Sequence, residues 1–209
     1  HIMKKIILGL ALTYLSAFSF SQINVSDVEK QCEAGNLNNC TGIGEVYLYG
    51  GYGIKRNYSK AAKFLQKGCD GGDSEACYNL AKLYNEGLGV KKSYKEAIIL
   101  YDKACNGGIA SSCSSLGIMY ESGKGVKKNV AKGVEYYRKS CDAGGWDGCG
   151  NYASYNHGIG NMQIAAKYYQ KACELGAATE GIGYWSDEGV ANVNKKAWQP
   201  FCDRYKALR

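Results

Sequence analysis

Apolar residues recur along this chain with the spacing of helix faces. From Cys77 to Tyr84 they fall at positions i, i+3, i+4 and i+7, and a second face of the same kind runs from Ala97 to Ala104. This spacing predicts two amphipathic helices. The glycine-rich segment 87–92 lies between them and breaks the helical pattern. The unit is therefore predicted to be a helical hairpin.

Capping signals and small residues support this interpretation. Ser93 is a predicted N-cap, Glu96 completes a capping box, and segment 106–108 carries the glycines that commonly end a helix. Neighbouring units repeat the two faces, with a small residue at one shared position: Gly44, Ala81 and Gly117. We expect these small residues to let neighbouring helices approach closely.

Eight of the ten cysteines mark the same repeat. They form four pairs whose members are eight positions apart, and successive pairs begin 37, 36 and 36 residues apart. A fixed period of this length is typical of a solenoid. The pairs are Cys32 with Cys40, Cys69 with Cys77, Cys105 with Cys113, and Cys141 with Cys149.

Paired cysteines indicate either disulfides or a metal site, and the spacing favours disulfides. Zinc ligands usually have two to four residues between them, with further ligands nearby. Here seven residues intervene, and His157 is the one histidine after the N-terminal segment. We therefore expect no metal and no cofactor. Cys173 and Cys202 lie outside the four pairs; we expect them to pair with each other, the alternative being two free thiols.

Residues 1–21 are predicted to be a signal peptide. Lys4 and Lys5 precede the apolar run 6–20, and small residues stand before a cleavage site at Gln22. The run is shorter than the roughly 20 residues that span a bilayer. The alternative is a buried or membrane-anchoring helix. The two residues before the first methionine are interpreted as a cloning remnant.

Charge narrows the range of partners. Loss of residues 1–21 removes two lysines and leaves 24 basic against 19 acidic residues, a net charge of +5. This excess favours acidic partners or anionic surfaces without indicating nucleic-acid binding, which we do not expect. No later stretch is apolar enough to cross a membrane. We expect a monomer that is secreted or periplasmic.

The repeat pattern decays toward the C-terminus. Residues 22–173 are predicted to form an array of about four units, and residues 174–209 a degenerate unit with a capping helix. Gly181 stands where a partner for Cys173 is expected. The last helix is predicted near 193–208. No strand is predicted, so the fold class is all-α.

Two motifs carry a family resemblance. Residues 113–120 read Cys-Ser-Ser-Leu-Gly-Ile-Met-Tyr, and residues 123–126 read Gly-Lys-Gly-Val. These motifs resemble the Sel1-like repeat family, a relative of the tetratricopeptide repeats. With its paired cysteines and signal peptide, the chain is similar to the Helicobacter cysteine-rich proteins over about residues 28–173. For fold, the resemblance implies a right-handed α-solenoid with a disulfide in each helix pair. For function, it implies secreted binding proteins, some linked to penicillin binding and weak β-lactamase activity, and some to host immune recognition.

By resemblance to tetratricopeptide repeats, the outward face of the first helices lines a concave groove. The predicted groove residues are Tyr78, Asn79, Lys82, Asn85 and Glu86, with Glu45, Ser115, Met119, Asn151 and Ser154 in the flanking units. Asparagine side chains can hold an extended peptide backbone, and Lys82 suits a carboxylate. The expected ligand is a protein or peptide, with a peptidoglycan fragment or β-lactam as further candidates. The alternative is a solvated polar face.

A second predicted surface is a basic ridge. Basic pairs occupy one loop position in three successive units: Lys55 and Arg56, Lys91 and Lys92, Lys127 and Lys128. Stacking would align them and favour an acidic polymer or lipid surface. The alternative is that these residues only keep the loops soluble.

Enzymatic activity is not favoured. Serine β-lactamases and penicillin-binding proteins use Ser-x-x-Lys and Lys-Thr-Gly, and neither is present. A cysteine nucleophile would have to be an unpaired Cys173 or Cys202, and His157 is predicted to be a loop or surface residue. Weak β-lactam binding or hydrolysis remains the alternative function, at a site not located from the sequence. A structural partner of envelope proteins is a third possibility.

Overall fold

The computed structural model describes residues 24–178, 183–186, 189–192 and 195–208. The predicted signal peptide lies outside the described residues. Residues 24–178 form nine helices: α1 (Val25–Glu33), α2 (Leu37–Tyr49), α3 (Tyr58–Asp70), α4 (Ser74–Glu86), α5 (Tyr94–Asn106), α6 (Ala110–Ser122), α7 (Val130–Asp142), α8 (Trp146–Gly158) and α9 (Met162–Ala178). The strands β1 (Gly183–Ser186) and β2 (Gly189–Asn192) and the helix α10 (Lys195–Ala207) follow.

The helices form a stack of hairpins. Four first helices, α2, α4, α6 and α8, each pack against the second helix that follows, and each second helix contacts the next first helix. The first helices α2 and α4 also contact each other, as do α6 and α8. The all-α solenoid of disulfide-linked helix pairs expected from the sequence is confirmed.

The same local signals set the helix ends in successive repeats. The N-caps Asn57, Ser93 and Asn129 each accept a hydrogen bond from the backbone N–H three residues on. These bonds satisfy N–H groups that have no partner within the helix. Gly87 and Gly123 end first helices in the left-handed conformation, with φ of 77° and 76°. Glycine adopts that conformation without the strain that a Cβ imposes.

Each disulfide joins the last turn of one helix to the first turn of the next. The four pairs at a separation of eight residues are all bonded, and the half-cystines are buried. Closing a loop of this size removes roughly 2–3 kcal/mol of unfolded-state entropy in the loop-closure model. The bridges therefore stabilise the junctions between units, where a solenoid has only nearest-neighbour contacts.

Small residues bring the two helices of a repeat together. An ideal Cβ at Gly44 would lie 2.8 Å from Cγ of Leu65, and one at Gly117 would lie 2.4 Å from the ring of Tyr137. Contacts this short leave no room for a side chain. The close approach predicted at Gly44 and Gly117 is thus observed, and the partner is the second helix of the same repeat.

The C-terminal segment closes the stack. Cys202 of α10 bonds to Cys173 of α9, so none of the cysteines in the described residues is free. Phe201 occupies the space left by Gly150, where a Cβ would lie 2.4 Å from the Phe201 ring. Helix α10 therefore takes the place of a further first helix packed on α8.

The interval between α9 and α10 differs from the sequence prediction. No strand was expected, but β1 and β2 form an antiparallel hairpin with Gly183 opposite Asn192. The degenerate unit predicted over 174–209 was based on helical periodicity and included no strand. Among the described residues, none of the helices combines the length and apolar character needed to cross a membrane.

Candidate functional site

Two hydrogen bonds define how successive first helices line up. Asn79 Nδ2 donates to Glu45 Oε1 at 3.3 Å, and Arg204 Nη1 donates to Ser154 Oγ at 3.1 Å. In each bond the acceptor lies five residues after the cysteine of one helix. The donor lies two residues after the cysteine of the equivalent helix in the next unit. Extending this register to the intervening units, we infer that Lys82 corresponds to Ser115 across the α4–α6 pair and Ile118 to Asn151 across the α6–α8 pair. We call these residues the first-helix row: Glu45, Asn79, Lys82, Ser115, Ile118, Asn151, Ser154 and Arg204.

Most of the predicted groove residues are half-buried on this face. Polar side chains in this state are positioned by their neighbours and keep an accessible edge. The half-buried members are Glu45, Tyr78, Lys82, Asn85, Ser115, Asn151 and Ser154, and Glu86 is exposed.

Two predicted groove residues are not accessible. Met119 is only 3% exposed and belongs to the hydrophobic core, because its position faces inward as Leu83 does in the preceding repeat. Asn79 is only 2% exposed. It is enclosed because it donates to Glu45 and accepts a hydrogen bond from the Tyr49 hydroxyl. Met119 therefore contributes to the packing of the core, and Asn79 positions the Glu45 side chain.

The row is acidic at the α2–α4 end. Burial, followed by the charges of Glu75 and Asp73, raises the pKa of Glu45 to about 7, against a smaller lowering by the Asn79 hydrogen bond. Burial and Asp73 also raise the pKa of Glu75. Within the described part of the chain, none of these three carboxylates forms an ion pair. This end therefore gathers three acidic side chains, of which Asp73 accepts hydrogen bonds from Thr41 and from the α4 N-terminus.

Tyrosines form the wall next to Lys82. The rings of Tyr78 and Tyr101 lie 6.0 Å apart, and the Lys82 ammonium lies 5.7 Å from the Tyr78 ring centre. Burial raises the pKa of Tyr78 to about 12, partly offset by a hydrogen bond with Ser111. Tyr101 comes from the second helix α5 and reaches Ser115. Sequence reasoning missed it because only first helices were considered.

Two accessible residues of the row were also missed. Ile118 is 51% exposed although it is aliphatic, and it occupies the position that holds Glu45 and Lys82 in earlier repeats. Arg204 lies on α10, two residues after Cys202, and also donates to the Tyr169 hydroxyl at 3.2 Å. Alignment on the helix cysteines would have found both residues, once Cys202 was treated as one of them.

The six residues of the predicted basic ridge are exposed. Their loops stack on the preceding repeat. Ser59 Oγ donates to the Gly89 carbonyl at 3.1 Å, and a Cβ at Gly125 would lie 2.4 Å from the side chain of Tyr94. Lys124 lies 4.6 Å from the Tyr94 ring centre. This packing brings the basic pairs to one edge of the stack, and their binding role stays a prediction.

The described residues contain no catalytic constellation of the kind weighed from the sequence. Cys173 and Cys202 are bonded to each other, so neither offers a thiolate. His157 is half-buried and lies edge-on to Tyr169, with ring centres 6.1 Å apart. No group of three or more metal-binding side chains occurs in the part of the chain that the structure describes.

Comparison with known proteins identifies the repeat. The Sel1 repeat model matches residues 40–73, 74–109, 110–145 and 147–176. The chain belongs to the Sel1 repeat family. The resemblance found in the sequence motifs is confirmed, and each matched repeat begins close to a first helix. No curated protein matches the chain.

Several solved Sel1 repeat structures are similar. The protective antigen c5321 of uropathogenic Escherichia coli is 24% identical with a TM-score of 0.68, covering 88% of this chain and 41% of that protein. A Sel1 repeat protein of Oxalobacter formigenes is 22% identical with a TM-score of 0.65, covering 88% and 78%. Cysteine-rich protein B of Helicobacter pylori is 31% identical with a TM-score of 0.48, covering 60% and 90%. The first two show the fold, and this chain spans about two fifths of the E. coli protein.

Proposed function

We propose that this Sel1 repeat protein is a binding scaffold that holds an extended protein or peptide segment along the first-helix row. The observation that carries the proposal is the register of the row, seen at Glu45–Asn79 and again at Ser154–Arg204. It sets polar side chains of successive repeats side by side on one face. Solenoids use such continuous surfaces for binding.

The chemistry of the row suits a peptide backbone. Asn151 offers a donor and an acceptor, which match the alternating N–H and C=O groups of an extended chain, and Ser115 offers an acceptor because its hydroxyl donates to the Ser111 carbonyl. Their half-buried state means that little side-chain freedom is lost on binding, and binding is stronger when that cost is small. The half-buried ring of Tyr78, packed against the buried ring of Tyr101, adds a rigid wall.

The disulfides support a location outside the cytoplasm. Five bridges indicate an oxidising environment, because cytosolic thiols are kept reduced. We propose secretion or periplasmic residence, in agreement with the predicted signal peptide. A ligand of this protein would then be a segment of an envelope, secreted or host protein, as the resemblance to the Helicobacter cysteine-rich proteins implies.

Panning a random library of peptides of about twelve residues on the oxidised protein tests the proposal. Ser115→Trp fills the middle of the row, and Lys103→Trp places the same side chain on an exposed site of the second helix α5. We expect enriched peptides to bind the wild type and Lys103→Trp with similar affinity, and Ser115→Trp at least tenfold more weakly. Equal binding to all three proteins, each shown to be folded by circular dichroism, would contradict the proposal.

No observation favours the β-lactamase alternative. The sequence lacks the serine motifs of those enzymes, and the two candidate cysteines are bonded to each other. We expect no hydrolysis of a chromogenic β-lactam by the oxidised protein beyond that of a reduced and alkylated control. Turnover that required the folded protein would contradict this expectation.

A further inference from the structure

Charge and polarity vary along the first-helix row, which has the acidic Glu45 at one end, the cationic Lys82 and the apolar Ile118 between, and the cationic Arg204 at the other end. Glu45, with Glu75 and Asp73 nearby, makes the α2–α4 end acidic. Ile118 makes the middle apolar, and Arg204 makes the α8–α10 end cationic. A segment bound along this row would therefore meet different chemistry at each end, which determines the end at which a cationic ligand residue binds.

The acidic end fits a cationic side chain. Glu45 is held by Asn79 close to two other carboxylates, and in the described residues no basic group pairs with any of the three. Lys82 lowers the pKa of Glu75 but is not among the groups that act on Glu45. A ligand ammonium or guanidinium would stabilise the ionised form of Glu45. A bound metal ion is a poorer fit, because the described residues contain no group of side chains arranged to hold one.

The middle of the row fits an aliphatic side chain. Ile118 is 51% exposed on a helix face whose neighbours are polar, at the position that holds Glu45, Lys82 and Ser154 in the other repeats. An exposed isoleucine alone is ordinary on a protein surface. Here it lies in register with Asn151 and between two charged ends, so an apolar ligand group would bury it without losing polar contacts.

We propose that the first-helix row binds an extended peptide with a lysine or arginine side chain opposite Glu45 and an aliphatic side chain opposite Ile118. This assignment rests on the function proposed above. Glu45 and Ile118 occupy equivalent positions two repeats apart. Taking the 8–10 Å spacing of packed helices for each step, we infer a separation of about 18 Å. An extended chain rises about 3.3 Å per residue. The two ligand residues are therefore five or six positions apart.

The opposite orientation is disfavoured by Arg204. This side chain donates to Ser154 and to the Tyr169 hydroxyl, and its guanidinium lies 5.7 Å from the Tyr169 ring centre. A cationic ligand residue at this end would face a fixed like charge. The lysine or arginine thus belongs at the α2–α4 end.

The peptides enriched by the library provide the test. We expect them to carry lysine or arginine followed or preceded, five or six positions away, by leucine, isoleucine or valine. A synthetic enriched peptide should bind Glu45→Gln about fivefold more weakly, because one charge-assisted contact is lost. Ile118→Ser should weaken binding to a similar extent, whereas Lys103→Ala on the exposed side of α5 should not change it.

The pH dependence of peptide binding distinguishes recognition by the charge of Glu45 from recognition by shape alone. The groups facing Glu45 are Glu75 and Asp73 on the α4 side and Tyr49 on its own helix, the last reached through Asn79. Ionisation of Glu45 near pH 7 should make wild-type binding tighter at about pH 8 than at about pH 5.5, and Glu45→Gln should lose this difference. An acetylated lysine in the peptide should abolish it as well.

The outcomes distinguish the proposed ligand pattern from the proposed binding function. Peptides whose binding depends on Ser115 but shows no preference for lysine or arginine, and no effect of Glu45→Gln, would overturn this inference and leave the binding face standing. A library that yields no peptide dependent on Ser115 would overturn both.

Discussion

Thr41 Oγ1 donates a 2.8 Å hydrogen bond to Asp73 Oδ2 across the junction between the first two repeats. The same carboxylate caps α4 by accepting hydrogen bonds from the backbone N–H groups of Glu75 and Ala76. One side chain thus satisfies a helix terminus and a hydroxyl of the neighbouring repeat. The junction between α6 and α8 has Ser114 and Gly145 at the corresponding positions and lacks this arrangement.

The consequence is an unsatisfied site near α8. Within the described part of the chain, Ser114 Oγ and Ser140 Oγ are buried without a hydrogen-bond partner, and α8 has no side-chain cap at Gly145. A Cβ at Gly145 would lie 2.5 Å from Ser140 Oγ. Gly145→Asp alone is therefore expected to clash. Ala104 and Ala172 stand at the position of Ser140 in the flanking repeats, so alanine fits there.

We predict that Ser140→Ala raises the free energy of unfolding by about 1 kcal/mol, because a buried unpaired hydroxyl is removed. Adding Gly145→Asp should contribute about 1 kcal/mol more by capping α8 and accepting from Ser114. Urea denaturation of the oxidised proteins measures both steps. A double variant less stable than Ser140→Ala would show that the junction does not accept the arrangement of the first repeat.

Glu45 predicts an unusual pH dependence of stability. Its pKa is raised to about 7 in the folded protein, so between about pH 4.5 and 7 the folded state binds more protons than the unfolded state. The contribution of Glu45 to stability is complete below this window and falls as the pH rises through it. Glu45→Gln should remove that slope and be more stable than wild type by about 3 kcal/mol at about pH 8.

Thermal unfolding of wild type and Glu45→Gln from about pH 4 to pH 8 measures the difference. The two proteins should be similar at the acidic end, where Glu45 is protonated, and diverge above about pH 5. Parallel curves over the whole range would mean that Glu45 ionises at its ordinary pKa and that the acidic end of the row is well solvated.

The helix array could be predicted from the sequence because the signals that specify it are local in the chain. Ser93 as an N-cap, the faces around Leu80 and Leu100 and the cysteine pairs all depend on residues close in the chain. The exposure of Ile118 and the burial of Met119 depend instead on which way a helix turns relative to its neighbour, and adjacent positions differ in that respect. Periodicity correctly predicted the two helices of each repeat. It did not specify how each helix is rotated about its own axis.

The last unit was harder to predict for a different reason. The repeat pattern places the partner of Cys173 at position 181, which is a glycine. The observed partner, Cys202, lies 21 residues later, after β1 and β2. Once the fixed interval is broken, counting no longer identifies equivalent positions. The Cys173–Cys202 bond restores the register and places Arg204 in the first-helix row.

The close helix contact at Gly117 predicts a position-specific glycine effect. Gly117→Ala should lower the free energy of unfolding by about 1–3 kcal/mol, because the new methyl group meets the Tyr137 ring at 2.4 Å. Gly42 provides the matched control, since it lies within a first helix with nothing within 4 Å of an added Cβ. Gly42→Ala should raise stability by up to about 1 kcal/mol. Equal effects at the two sites, measured by urea denaturation, would contradict close packing at Gly117.

The Cys173–Cys202 bridge should stabilise the C-terminal end rather than the whole protein. It closes an interval of 29 residues, for which the loop-entropy model gives about 3–4 kcal/mol. Because repeats contact only their neighbours, the double variant Cys173→Ser with Cys202→Ser should loosen α9 and α10 first.

Amide hydrogen exchange can locate that change. We expect exchange in α9 and α10 to speed up by at least tenfold while α4 and α5 keep their wild-type rates. The matched variant Cys32→Ser with Cys40→Ser should instead affect α1 and α2, which carry the bridge at the other end. If removal of either bridge increased exchange evenly through all helices, the stack would unfold as one cooperative unit. In that case each bridge would set the stability of the whole array, and the separation between a capping unit and a binding face would not hold energetically.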